Sequence, residues 1–189
     1  MARVAEGWQI GSILTASSGV PFDVNGVFSL NQFTSNGYTA SAATAIDKGL
    51  GEVTKNGQGV YYFSGLRQIP DPQVAGITTL NNVQGQSGLR AIADASGTPL
   101  IVNPAPGTLG NLQPGFFEGP GSVSLDVNLI KRFRLRESKE LLFNAQFLNL
   151  PNHASFSNPS GGINGTNFGQ ITSTSNSPRV IVFGLRLNF

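Results

Sequence analysis

The chain has 189 residues and a formal charge of +2, from 12 Lys and Arg against 10 Asp and Glu, with one His and no Cys. Charged residues make up 12% of it, against about 25% in ordinary soluble domains, so the broad charged surface that keeps a soluble protein hydrated is missing. The lack of Cys excludes disulfides, zinc–thiolate sites, iron–sulfur clusters and cysteine nucleophiles, His153 alone gives no histidine pair for a metal, and so small a charge without a basic stripe excludes a nucleic-acid footprint. With 24 Gly and 11 Pro the composition favours turns over helix interiors. The opening Met1-Ala2-Arg3-Val4-Ala5-Glu6-Gly7 lacks the apolar run of a signal peptide, and no stretch approaches the roughly 18 consecutive apolar residues of a membrane helix.

In chain order, period-2 alternation predicts a first strand at about 8–22, with Trp8, Ile10, Leu14 and Ala16 opposite Gln9, Gly11, Ile13 and Thr15. Residues 23–121 follow without a clear period, punctuated by Asn25-Gly26, Asn36-Gly37, Asn56-Gly57, Pro104-Ala105-Pro106-Gly107 and Gly119-Pro120-Gly121. So long a stretch either holds small strands or is a functional outer loop. A second strand spans 122–135: Val123, Leu125, Val127, Leu129, Phe133 and Leu135 share one face, interrupted only by Lys131. A third, 140–150, places Leu141, Phe143, Ala145 and Phe147 together, and Asn149-Leu150-Pro151 breaks the pattern at its end. After the polar stretch 152–178, a last strand at 179–189 alternates most cleanly, with Ile181, Phe183, Leu185, Leu187 and Phe189 on one wholly apolar face.

The short charged link Arg136-Glu137-Ser138-Lys139-Glu140 makes a hairpin of the second and third strands. Both apolar faces are odd-numbered, so the pairing must oppose odd to odd. A tight turn then predicts Phe133 opposite Phe143 and Leu129 opposite Phe147. Each strand is at least as long as the roughly 9 to 11 residues that cross a bilayer at a tilt of about 45°. One short turn alternates with two long connections, the asymmetry of transmembrane barrels with periplasmic turns and long outer loops. The expected fold is therefore an all-β, antiparallel transmembrane barrel segment of about four strands, with outer loops 23–121 and 152–178 and Trp8 near the inner interface.

Five segments carry a family resemblance. The ending Phe183-Gly184-Leu185-Arg186-Leu187-Asn188-Phe189 resembles the C-terminal strand of bacterial outer-membrane barrels. Ser18-Gly19-Val20-Pro21-Phe22, Asn103-Pro104-Ala105-Pro106-Gly107-Thr108-Leu109-Gly110-Asn111, Phe147-Leu148-Asn149-Leu150-Pro151-Asn152-His153 and Phe168-Gly169-Gln170-Ile171-Thr172 resemble, in this order, the final strands of TonB-dependent receptors. The nearest group is the Oar-like receptors with an N-terminal carboxypeptidase-regulatory-like domain. Pro151 departs from the family, which more often has an aromatic before Asn-His. The resemblance implies a location in the outer membrane of a Gram-negative bacterium and energy-coupled import through a plugged barrel. The implied partners are outer-membrane lipid, the remaining barrel and plug, the TonB system through that plug, and the barrel assembly machinery through the strand ending at Phe189. No plug, TonB box or signal peptide is recognisable, so the chain is expected to be the C-terminal part of a larger receptor that does not transport by itself.

No enzymatic activity, cofactor, metal or catalytic residue is expected, and no residue is assigned to substrate. His153 has no Gly-x-Ser-x-Gly partner motif and reads as a loop cap. Lys131, Arg132, Arg134, Arg136 and Lys139 read as snorkelling and solvated charge at a strand end. Asp126, Asn128, Arg132, Asn144, Gln146, Arg186 and Asn188 read as the polar interior any such barrel needs. Asp23, Asn25, Asp71 and Asp94 lack calcium-loop spacing. Two rival readings are a surface adhesin or oligomeric pore subunit, and a soluble carbohydrate-binding sandwich with its second sheet in 23–121.

Overall fold

A computed structural model describes residues 6–26, 40–47, 49–73, 88–105, 108–136 and 139–189. The turn signals Asn36-Gly37 and Pro106-Gly107, and the hairpin centre at 137–138, lie outside them. The described residues contain strands and no helix. The strands are β1 (Trp8–Ser17), β2 (Pro21–Phe22), β3 (Ser41–Ala42), β4 (Thr54–Asn56), β5 (Gly59–Tyr61), β6 (Arg67–Pro70), β7 (Arg90–Ala93), β8 (Pro99–Val102), β9 (Phe117–Glu118), β10 (Ser122–Arg136), β11 (Lys139–Leu148), β12 (Gln170–Ile171) and β13 (Val180–Asn188). All strand pairs are antiparallel, and two compact units emerge.

The first unit is one four-stranded sheet in the order β1-β10-β11-β13, built from the long alternating strands. Trp8 pairs with Lys131, Ile10 with Leu129, and Ser17 with Ser122. Phe143 pairs with Leu185, and Ala145 with Phe183. The hairpin between β10 and β11 departs from expectation. Phe133 faces Leu141 and Leu129 faces Ala145, two residues away from the expected register. Arg136 pairs with Lys139, so the connection is only two residues long, and the register shifts between Arg134 and Arg136. The cause is parity. A two-residue link leaves odd residues opposite even ones, which would turn the two apolar faces to opposite sides. One bulged residue restores odd against odd.

The first strand also ends earlier than residue 22. Ser17 closes β1, and Pro21–Phe22 forms a separate ribbon with Phe117–Glu118. At the break Gly19 lies so close to Gly119 that a Cβ there would fall 1.7 Å from the Gly119 carbonyl oxygen. Only a residue without a side chain permits that approach. β11 similarly stops at Leu148, because Asn149 and Asn152 take φ of 50° and 53°, outside strand geometry.

The second unit comprises Ser18–Pro120 together with Ser157–Ser173. The two long connections are thus one folded body. It contains the sheets β3-β8-β7-β6 and β12-β5-β4 and the ribbon β2-β9. Phe22, Tyr62, Phe63 and Phe117 are buried. Phe63 stacks on Phe168 with ring centroids 5.1 Å apart and planes 3° from parallel, so the Phe168-Gly169 segment supplies part of the core. Burial first, and then the Glu118 carboxylate, push the Tyr62 phenol above its ordinary range. Its hydroxyl donates to the Glu118 carbonyl at 2.5 Å.

A buried polar centre joins segments distant in sequence. Asn103 is fully buried and Asp71 nearly so. The backbone N–H and the Nδ2 of Asn103 both donate to Asp71 Oδ2, at 2.7 and 2.6 Å. Asn103 Nδ2 also reaches the Arg90 carbonyl, and Asn164 Nδ2 donates to Asn103 Oδ1 at 2.8 Å. Asn164 Oδ1 accepts from the Arg90 N–H at 2.7 Å. Elsewhere in this unit Asp94 is held below its ordinary pKa, chiefly by the Ser96 hydroxyl and then by the Thr98 N–H. Replacing Asn103 by Ala leaves Asp71 and Asn164 short of partners in a buried site, a cost of about 1 to 3 kcal/mol. Limited proteolysis of the intact protein should show cleavage within 18–120 accelerated about tenfold for each 1.4 kcal/mol lost, with β10 and β11 still protected.

Candidate functional site: the two faces of the four-stranded sheet

Each row across the sheet places four side chains on one side. The apolar face carries Trp8–Lys131–Phe143–Leu185, then Ile10–Leu129–Ala145–Phe183, then Ser12–Val127–Phe147–Ile181. Ile10 is 71% exposed, Leu185 69% and Phe183 66%, so no second layer among the described residues covers this face. An exposed apolar surface of this extent marks a contact with something other than water. Its rings organise one another: Phe143 and Phe183 stack at 6.1 Å, and Phe147 meets Phe183 edge-on at 6.5 Å. Pairs of this kind contribute roughly 0.5 to 1.5 kcal/mol beyond area burial.

Lys131 is the exception on this face, and its environment differs from the snorkelling read from sequence. The side chain is buried to 1% exposure. Its ammonium lies 4.9 Å from the centre of the Trp8 ring and 5.3 Å from that of Phe133, and donates to the Glu6 carbonyl. The cation therefore turns inward under its neighbours and fastens the start of β1 to β10. The register Trp8↔Lys131 is the signal that would have revealed this. Sequence alternation alone does not contain it.

The opposite face collects the residues read as interior. Asp126, Asn128, Arg132, Asn144, Gln146, Arg186 and Asn188 all stand on it, since every one is even-numbered in strands paired even to even. Gly11–Asn128–Gln146–Val182 and Gln9–Ile130–Asn144–Gly184 form neighbouring rows. Nearer the hairpin come Arg132–Leu142–Arg186 and Arg134–Glu140–Asn188. All three of these arginines are exposed.

At the other end a clip closes the β11–β13 connection. The Asn149 N–H donates to Asp126 Oδ1 at 2.9 Å. Asn149 Nδ2 donates to the His153 and Ser177 carbonyls, each at 3.1 Å, and its Oδ1 accepts from the His153 N–H at the same distance. Arg179 donates its N–H to Asn152 Oδ1 at 3.0 Å and its guanidinium to the Leu150 carbonyl at 3.3 Å. The Asn-Leu-Pro-Asn-His motif is thus a strand-end lock, with His153 acting through its backbone while its side chain stays exposed. Asp23, Asn25, Asp71 and Asp94 are dispersed: Asp23 accepts from the Gly115 N–H, Asn25 bridges Gly162, and Asp71 and Asp94 hold the contacts given above. Among the described residues no three His, Cys, Asp or Glu side chains gather as a metal would require.

The chain matches the family model described as outer membrane beta barrel domain over residues 1–181. No curated protein and no solved structure matches it. For the clip, Asn149→Ala puts at φ 50° a residue that lacks asparagine's tolerance of the left-handed region and removes three side-chain bonds, so it should destabilise the intact protein by about 2 to 4 kcal/mol in urea unfolding. Asn149→Gly tolerates the backbone and loses only the bonds, so it should fall between Ala and the parent.

Proposed function

The chain belongs to the outer membrane beta barrel domain family and lies in the bacterial outer membrane, and from that premise we propose that it forms part of the wall and outer loops of a TonB-dependent receptor for energy-coupled import. The observation that carries this reading is the sheet itself: one face is predominantly apolar and exposed at Ile10, Phe183 and Leu185, the other is largely polar, and among the described residues no strand pairs with the outer sides of the edge strands β1 and β13. Unpaired edges are not tolerated in lipid, and four strands are fewer than the roughly 8 of the smallest single-chain barrels. Further strands therefore complete the wall. In a transport cycle the apolar face meets lipid, the polar face lines the lumen, and ligand is captured on the outer side. The role proposed for this chain is non-catalytic. Its proposed partners are outer-membrane lipid, the rest of the barrel and plug, the TonB system, and the assembly machinery that reads the terminal strand.

Support for the orientation comes from connectivity. Both long connections leave the sheet at the end where Ser17 pairs with Ser122 and Leu148 with Val180, while the two-residue link closes the other end. That is the distribution of outer loops and periplasmic turns. The receptor resemblance of the Asn103–Asn111 and Phe147–His153 motifs supports the narrower assignment.

Two measurements test these statements. In the assembled receptor, Arg at Val127 faces lipid in the middle row of the apolar face and should cost about 2 to 4 kcal/mol. Arg at its neighbour Asn128 faces the lumen and should cost much less. Equal costs in refolding titrations would remove the membrane assignment of the face. For the receptor assignment, Gln58→Cys should react with an impermeant maleimide on intact cells, and Lys139→Cys only after the outer membrane is opened. The periplasmic domain of TonB should retain the full-length protein from detergent extracts. Correct labelling without that retention would leave an outer-membrane barrel that is not TonB-dependent.

A further inference from the structure

We propose that Asn56 is a site of self-modification, where the Gly57 nitrogen closes a succinimide on the Asn56 carboxamide and water reopens it to aspartate or isoaspartate. The chemistry lies in the second unit and is independent of the receptor assignment. Asparagine followed by glycine is the pairing that permits it, because glycine sets no side chain in the way of its own nitrogen. The described residues hold three such pairs: Asn25-Gly26, Asn56-Gly57 and Asn164-Gly165. Their surroundings separate them.

Asn56 ends β4 and pairs with Gly59 across the two-residue turn Gly57-Gln58. Asn56, Gly57 and Gln58 are all exposed, and a Cβ at Gly57 would meet nothing within 4 Å. Asn56 Oδ1 accepts from the Gln58 N–H at 3.0 Å, a turn in which the side chain folds back over the peptide that follows it. That contact has a chemical consequence. As the Gly57 nitrogen adds to Cγ, negative charge gathers on Oδ1, where an oriented N–H is already in place to stabilise it. A base takes the Gly57 amide proton, the N–Cγ bond forms, and the Cγ–Nδ2 bond breaks as Nδ2 takes up a proton and leaves as ammonia. Water then cleaves the ring. Hydrolysis of the Cγ–N bond gives aspartate, whereas hydrolysis at the main-chain carbonyl gives isoaspartate, with the chain routed through Cγ.

The other two pairs are held out of reach. Asn164 Oδ1 accepts from the Arg90 N–H at 2.7 Å and its Nδ2 donates to Asn103 Oδ1 at 2.8 Å, while the Gly165 N–H donates to the Gly162 carbonyl at 3.1 Å. Turning that carboxamide onto its own chain would break the buried polar centre. Asn25 is fixed through its backbone on both sides, its N–H donating to the Gly161 carbonyl and its carbonyl accepting from the Ile163 N–H. Gly26 is crowded by Pro104, whose Cδ lies 2.9 Å from where a Cβ would stand. The fold thus selects one of three chemically equivalent pairs. Conversion at Asn56 exchanges a neutral amide for a carboxylate and lowers the formal charge of +2 by one. The isoaspartyl form also lengthens the turn by one main-chain atom and loosens the pairing of position 56 with Gly59.

The test incubates the full-length folded protein in mildly alkaline buffer made with heavy-oxygen water, digests it in ordinary water and follows the peptides by mass spectrometry. The Asn56 peptide should split into aspartate and isoaspartate forms carrying heavy oxygen, at least roughly tenfold faster than the Asn25 and Asn164 peptides, whose geometry keeps nucleophile and carbonyl apart. In urea-unfolded protein the three should convert at similar rates. Gly57→Ala, whose methyl group enters open space, should slow conversion at Asn56 roughly tenfold by crowding the attacking nitrogen, with an unchanged limited-proteolysis pattern showing that the fold is kept. Three outcomes overturn the proposal: an Asn56 peptide that stays unconverted in the folded protein while it converts in the unfolded one, Asn25 or Asn164 keeping pace with Asn56 in the folded protein, or Gly57→Ala converting as fast as the parent.

Discussion

A strand that separates hydrocarbon from a polar interior cannot slip by one residue. Its side chains alternate with a period of two, so a single step exchanges the faces completely. Everything in the four-stranded sheet follows from keeping odd residues of β10, β11 and β13, and even residues of β1, on one side. The hairpin link would violate that rule by itself, since two residues between Arg136 and Lys139 give the wrong parity. The bulge beside Leu135 is the correction, and it decides which faces Phe143 and Arg132 share with their neighbours. Lys131 reinforces the same alignment on the other flank of β10. A cation buried beneath Trp8 and bound to the Glu6 carbonyl is held in place from β1, and sliding β1 would break both of those contacts around a buried charge.

The second unit obeys a different constraint. Its strands are two to four residues long, too short to be held by ladders alone. Stability comes instead from the aromatic core around Phe63 and from the Asp71–Asn103–Asn164 centre. Buried polar groups that are fully satisfied specify one arrangement and penalise others, because every alternative strands a donor or a carboxylate. Stretches that look like loop by composition can in this way hold a defined shape.

These two regimes explain what the sequence disclosed. Val180 to Phe189 and Ser122 to Leu135 announce themselves because a membrane wall repeats one simple pattern over many residues. The parity of the hairpin was also legible, and its register was not. The two-residue offset depends on a bulge, which arises from turn closure and leaves no mark on hydrophobic alternation. In the second unit, pairs such as Thr54–Tyr61 and Ala42–Ile101 involve strands too short to establish a period. Asn103 stood inside a recognisable motif, but its role depends on Asp71 and Asn164, residues 32 and 61 positions away. His153 was legible as a loop cap, but the lock around it was not, because it depends on positive φ at Asn149 and Asn152 and on bonds from Asn149 to the His153 and Ser177 backbone.

The second unit is interrupted in sequence by the β10–β11 hairpin, which lies between its two segments. A ribosome or an export channel delivers residues 18–120 first, then the hairpin, and only afterwards the 157–173 segment that carries Asn164 and Phe168. Until that moment Asn103 lacks one of its partners and Phe63 lacks its stacked ring. Long-range closure of this kind is slow and comes late in folding. The second unit thus reaches its final form after both strands of the hairpin have been delivered, an order of events written into the chain by where one asparagine and one phenylalanine were placed.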